Sequence, residues 1–212
     1  MMISLYMLFS IIACNSYTDN LQLELLDQQL KIGLTKPKRG QPCINTCSEL
    51  SFRLSNPTEK DYILYDFDKL PYLATERDSL YHNNFIFIAG VHVFVYDLEN
   101  KQIEATRYIS DDIDYKPMTP DFIMLKLKES RKKFRNSRVI IRKGESFEFN
   151  HNIDFRDFEL KPGVYYVKLI YFQGPNVTHQ LDSSLIKEDE ESYNAKVYTG
   201  RFWSNKIKLV VE

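Results

Sequence analysis

The chain has 212 residues, 43% of them hydrophobic and 27% charged, with a formal net charge of −1. That balance excludes a global field that would select nucleic acid or an acidic polymer, and three cysteines exclude a disulfide-dense scaffold. Fourteen Tyr and fourteen Phe against seven Gly favour strands over helices and supply apolar bulk for one well-buried core.

Residues 1–13 form a short apolar segment containing Ile3, Leu5, Met7, Leu8, Phe9, Ile11 and Ile12. Spanning a bilayer takes about 20 residues, so the segment fits the apolar region of an export signal instead. No Lys or Arg precedes it. The run stops at Ile11-Ile12-Ala13-Cys14, which resembles the lipobox of bacterial lipoproteins. The resemblance implies that Cys14 becomes the first residue of the mature protein, with acyl chains on its sulfur and its amino group. At about 0.8 kcal/mol per buried CH₂, several chains give durable anchoring. It also implies a place in the bacterial cell envelope, on the outer membrane. Residues 14–20 then read as a polar tether, and 21–212 as a single domain.

Within the domain, residues 29–34 alternate as a first strand, preceded by a shorter one, and 36–42 form a turn cluster. Cys43 and Cys47 either close a small disulfide loop, which needs a bend between them, or stand as two thiols. Their spacing is not that of a Cys-x-x-Cys redox pair. Residues 49–55 put Leu50, Phe52 and Leu54 on one face; Asn56-Pro57-Thr58 turns the chain into a strand over 61–67. A loop over 68–84 contains one helical turn at 75–82. The run 85–97 reads as a central strand buried on both faces, with Gly90 marking a bulge. A strand over 102–109 and a loop over 110–121 follow. Residues 122–127 read as a strand, 126–138 as a polar basic stretch and 138–142 as a short strand. Residues 146–155 alternate and place His151 on an apolar face. A long polar insertion fills 174–194, and strands over 195–203 and 206–211 close the chain.

Leu160-Lys161-Pro162-Gly163-Val164-Tyr165 combines a turn with the start of a long strand. Tyr165, Val167, Leu169 and Tyr171 form its more apolar face. This stretch resembles the tyrosine corner of immunoglobulin-like sandwiches, where a Tyr hydroxyl bonds to backbone just upstream. Where antibody domains carry a Cys two residues on, this chain has Val167. The strand, Asn-Pro turn and aromatic strand over 49–67, and the ending 199–211, resemble bacterial Ig-like modules. The fold implied is an all-β, immunoglobulin-like antiparallel β-sandwich with long loop insertions.

Candidate sites are sparse. His82, His92, His151 and His179 lack metal-pair spacing, so the expectation is no metal. Asp111, Asp112, Asp114 and Asp121 lack the regular Ca²⁺-loop pattern and read as a solvated loop. Lys126, Lys128, Arg131, Lys132, Lys133, Arg135, Arg138, Arg142 and Lys143 read first as a solvated basic stretch, and second as a contact for anionic glycan or lipid headgroups. Asn176-Val177-Thr178 matches a glycosylation acceptor, which a bacterial lipoprotein would not use. No nucleophile elbow, phosphate loop or zinc-protease motif occurs, so no catalytic residue and no cofactor are expected. The expected function is a non-catalytic, lipid-anchored binding or assembly module. It would meet the membrane through its anchor, and another envelope protein or glycan, but no nucleic acid, through loops 110–121, 126–138 and 174–194. Two alternatives are a proteinase inhibitor of Ig-like fold that presents the 174–194 loop, and an envelope glycan hydrolase with two converging carboxyl groups.

Overall fold

A computed structural model describes residues 20–33, 46–67, 69, 71–73, 89–106, 120–174, 181 and 183–212. The chain is mostly β, in several sheets. The first sheet has order β1-β3-β9, with β1 at Gln22–Leu25, β3 at Cys47–Ser55 and β9 at Ser146–Asp154, all antiparallel. The second runs β2-β12-β10-β6-β5, with β2 at Gln29–Ile32, β5 at Tyr72–Leu73, β6 at Gly90–Tyr96, β10 at Gly163–Gln173 and β12 at Gly200–Val211. β7 at Gln102–Ile103 also pairs with β6. β2 lies parallel to β12, so the chain changes sheets between β1 and β2.

Period-2 alternation explains the shared core. Leu23, Leu25, Leu50, Phe52, Leu54 and Ile153 of the first sheet pack in one cluster with Val91, Val93, Val95, Val167, Leu169, Tyr171, Ile207 and Leu209 of the second. Each such fully buried side chain contributes about 1.5–3 kcal/mol. On the other face of the second sheet, Phe94 and Ile170 are buried with Tyr96 and Trp203 packed on them, and Lys168 sits over the Trp203 ring. β6 is therefore buried on both faces, as its unbroken apolar run requires. The outer face of the first sheet is solvated, with Arg53 bridging Glu24 and Glu148.

Three long insertions build a cap over one end of the two sheets, where Ser55 pairs with Ser146, Gln173 with Gly200 and Phe172 with Gly90. The first and third join strands at that end, while the second leaves β7 near the other end, where Thr106 bonds to Asp157, and returns at Ser146. They supply a third sheet, β11-β4-β8, from β4 at Tyr62–Leu64, β8 at Val139–Ile141 and β11 at Lys196–Val197. Among the described residues they also supply two helices, α1 at Pro120–Asn136 and α2 at Ser183–Tyr193. Ile63, Tyr65, Ala89, Phe134, Leu181 and Ala195 form a separate core under this cap.

Several expectations are corrected. Residues 122–127 are helical, not a strand, and the basic stretch 126–138 is mostly α1 rather than a loop. The polar insertion 174–194 contains α2. Residues 200–211 form one strand where two were expected. β7 stops at Ile103. Gly90 shows no bulge in the ladder, because β6 and β10 stay in register up to it, where β6 begins. Its φ of 141° and the Tyr72 ring, 2.9 Å from where a Cβ would stand, exclude a side chain there. The irregularity lies instead in the β10–β12 pairing, where Lys168 opposes Lys206 but Ile170 opposes Trp203. Asn205, at that bulge, accepts the Leu25 N–H at 2.7 Å and donates to the Leu25 carbonyl at 3.2 Å, tying β12 to the end of β1.

Asn56 fastens the root of the first insertion. Its buried side chain donates to the Lys60 and Ile141 carbonyls, at 2.7 and 3.2 Å, and accepts from the Thr58 N–H and hydroxyl, at 3.1 and 2.7 Å. Asn56→Ala strands those buried partners and is expected to cost about 3 kcal/mol, read by denaturant titration. Arg53→Ala, on the solvated face, should barely move the same midpoint.

Candidate binding groove at the capped end

α1 begins at Pro120, a residue suited to the first helical position because its missing N–H would have no partner there. Its last carbonyls are satisfied locally. The Ser137 N–H reaches Lys133 and Phe134, the Ser137 hydroxyl reaches Phe134 at 2.7 Å, and Arg138 donates to Arg135 at 2.5 Å. α2 ends at Tyr193 and is followed by Asn194, which takes the left-handed conformation with φ of 47°. Phe134 anchors α1 by stacking on Tyr65, with ring centroids 4.9 Å apart.

The two helices are joined by one buried carboxylate. Asp189 of α2 accepts the Tyr65 hydroxyl at 2.7 Å and two Arg135 nitrogens, at 2.8 and 2.7 Å. Arg135 also reaches Glu188 at 2.9 Å. Tyr65, Arg135 and Asp189 belong to the first, second and third insertions in turn. Burial, followed by the Asp189 carboxylate, pushes the Tyr65 hydroxyl far above its ordinary range, and hydrogen bonds to Asp189 and Glu188 raise Arg135. Arg138 lies against the Tyr193 ring and hydroxyl, and Arg142 reaches Asp61 at 2.9 Å and the Tyr193 carbonyl at 2.8 Å. The Lys143 N–H and Arg142 hold the Asp61 carboxyl below its usual range.

A second polar cluster joins cap to core. The Gln173 side chain accepts the Tyr65 N–H at 2.9 Å and donates to the Tyr198 carbonyl at 2.6 Å. The Tyr171 hydroxyl sits between Gln173 and the Tyr65 carbonyl, the latter at 3.0 Å, with one proton for the two. Tyr198 donates to Asn20 at 2.7 Å, which fixes the start of the domain at this same end.

Above the carboxylate, α1 and α2 border an open groove of about 970 Å³. Met124, Lys128, Arg131 and Arg135 share one stripe of α1 at helical spacing; Leu185, Asp189 and Tyr193 line the α2 side. Met124 and Leu125 are 65% and 52% exposed. A cleft lined by apolar Met124, Leu125 and Leu185, by several cations and by a fixed ion pair suits an amphiphilic or anionic surface.

Of the residues singled out from the sequence, the basic stretch divides in two. Arg135, Arg138 and Arg142 brace the cap, while Lys128, Lys132 and Lys133 are exposed. The Tyr165 hydroxyl donates to the Lys161 carbonyl at 3.1 Å. Cys47 is disulfide-bonded; Cys14 and Cys43 lie outside the described residues. His151 stacks on Phe52 and His92 is buried beside Tyr72, while His82 and His179 are outside. Asp111, Asp112, Asp114 and Asn176 are also outside, and Asp121 falls in α1. Among the described residues, no group of three or more His, Cys, Asp or Glu converges as a metal would need. Sequence reading missed Tyr65 and Asp189; the signals were Pro120, Asn194 and the helix-forming residues 185–191. Compared with known families and characterised proteins, the chain matches no family model and no characterised protein.

Two predictions follow from the ion pair and its hydroxyl neighbours. Asp189→Ala leaves Arg135 without its main partner and should destabilise the protein by about 3–5 kcal/mol in urea titration. Replacing all three, Arg135→Met, Asp189→Leu and Tyr65→Phe, should recover most of that loss. Tyr65, Tyr171 and Tyr198 are all raised by burial first, Tyr198 to about 12. Their folded values exceed the unfolded one, so this stability is intact below about pH 10 and drains away as pH rises toward 12. Tyrosinate absorbance should show these three ionising only with unfolding; ionisation in the native state would contradict the burial argument.

Proposed function

We propose that the protein is a lipid-anchored, non-catalytic binding module of the bacterial cell envelope, with an immunoglobulin-like domain that presents its capped end. The strand order supports that topology. A first strand pairs in one sheet, its continuation lies parallel to the last strand in the other, and β12, β10, β6 and β7 follow in that order. The Tyr165–Lys161 bond at the β10 corner supports it as well. The anchor rests on Ile11-Ile12-Ala13-Cys14.

The single observation that carries the binding role is the groove between α1 and α2. Two inter-strand insertions, at the sandwich end where recognition loops commonly cluster, line it, and Tyr65 of a third supports the ion pair that joins them. Its polar groups serve assembly rather than turnover. Asp189 is fully buried, and both Asp189 and Glu188 are held by Arg135, an arrangement that leaves neither poised as an acid or base toward a glycosidic bond. Residues 183–193 are helical, where a protease inhibitor would offer an extended loop to the cleft.

Mass spectrometry of the protein taken from its native membrane tests the proposal. The expected amino-terminal peptide begins at Cys14 and carries the added mass of the acyl chains, and Cys14→Ala should abolish that modification. A mature terminus elsewhere, or an unmodified Cys14, would remove the anchor.

A further inference from the structure

The groove and its neighbouring helix face sit at the same end of the domain as the tether. Asn20, the first described residue, bonds to Tyr198, whose N–H donates to Ile63 of the cap sheet at 3.0 Å. From Cys14 to Asn20 is six residues, a reach of about 20 Å when fully extended. β10 alone, with 11 residues, runs about 35 Å from the capped end to the Tyr165 corner. A domain tethered this way cannot stand on its far end; the cap is the end held near the bilayer.

Charge on that end is uneven. The four acidic residues of α2 are matched by four cations within the chain: Asp189 and Glu188 by Arg135 with Arg138 4.0 Å from Asp189, Glu190 by Lys196 and Glu191 by Lys187. On α1, Lys128, Lys132 and Lys133 are exposed, and none has an acidic partner among the described residues. Beside them stand Met124 and Leu125, among the described residues the most exposed large apolar side chains on the cap. Met124 lies one turn from Lys128, and Leu125 two turns from Lys132. Glu129 is the one acid described on this exposed face, against three lysines, so the face stays net positive. Exposed apolar residues interleaved with an excess of lysines on one helix face are the pattern of a helix that lies on an anionic membrane surface.

Resting on the Cys14 anchor proposed above, we infer that the α1 face is a membrane-docking surface. Lys128, Lys132 and Lys133 engage anionic lipid headgroups of the anchoring bilayer, and Met124 and Leu125 dip into the interface. The groove then opens toward lipid, and the Tyr165 corner points away.

The test uses the full-length protein purified from membranes, with an environment-sensitive fluorophore at Met124→Cys or, at the opposite end, at Lys161→Cys. It is reconstituted in vesicles of phosphatidylcholine alone or with added phosphatidylglycerol. The expected result is a blue shift and a rise in emission of about twofold or more at position 124, only with phosphatidylglycerol, and no change at position 161. Lys128→Glu with Lys132→Glu should abolish the response while the protein stays vesicle-bound, since each lysine is worth about fivefold in partition. A label at 124 that reports water while the protein is bound through an acylated Cys14 overturns the docking surface and leaves the anchor standing. If mass analysis finds Cys14 unmodified, the anchor falls, and sedimentation of the unanchored chain with the same vesicles decides the surface alone. Binding to phosphatidylglycerol vesicles that the two lysine reversals remove supports it, and no binding, or binding the reversals leave unchanged, overturns it.

Discussion

A carboxylate sealed from water must be matched by its neighbours, and at Asp189 the match comes from two other parts of the chain. Tyr65 brings a hydroxyl from the first insertion, Arg135 a guanidinium from the second, and α2 carries the acid itself in the third. Losing any one leaves a buried polar group without its partner, a cost of about 1–3 kcal/mol for a neutral group and more for a charge. The cap is thereby specified as one arrangement of three segments rather than as three independent loops. The Gln173 and Tyr171 cluster extends the same constraint into the main core, because Tyr65 is bonded through its backbone to both.

This division of labour explains the molecule's two ends. The paired sheets are held by apolar burial on alternate positions, which is non-directional and tolerant of drift in the surface. The cap is held by directional bonds among few residues, and its apolar core is small. A surface built that way can carry exposed Met124 and Leu125, and lysines with no acidic partner among the described residues, because its own stability does not depend on them. Asn20, at the start of the described chain, bonds to Tyr198 at that same end, away from the Tyr165 corner.

How much of this was legible in the sequence depended on the range of the interaction. Strands β3, β9 and β10 announce themselves by alternation, since Phe52, Phe149 and Val167 each sit two residues from another inward side chain. The Pro162-Gly163 turn leading to Tyr165 is likewise local. The helices were not legible as such. α1 buries Phe134 among the side chains described, and its lysines and arginines obscure the repeat; α2 buries Asp189, an acid, where a pattern search expects an apolar residue. Tyr65 and Asp189 are 124 positions apart, and no spacing rule connects them. Gly90 was read as a bulge because a glycine in an apolar run has two causes, a kink or a close neighbour; here the neighbour, Tyr72, is the cause.

The central claim, that one ion pair makes three insertions a single unit, is most directly tested by native-state hydrogen exchange of the unmodified protein at increasing denaturant. The account predicts that amides of β4, β8 and α2 open together, at one free energy lower than that of β10 and β12. Opening of α2 by itself, with β4 and β8 still protected to the level of β10 and β12, would contradict it.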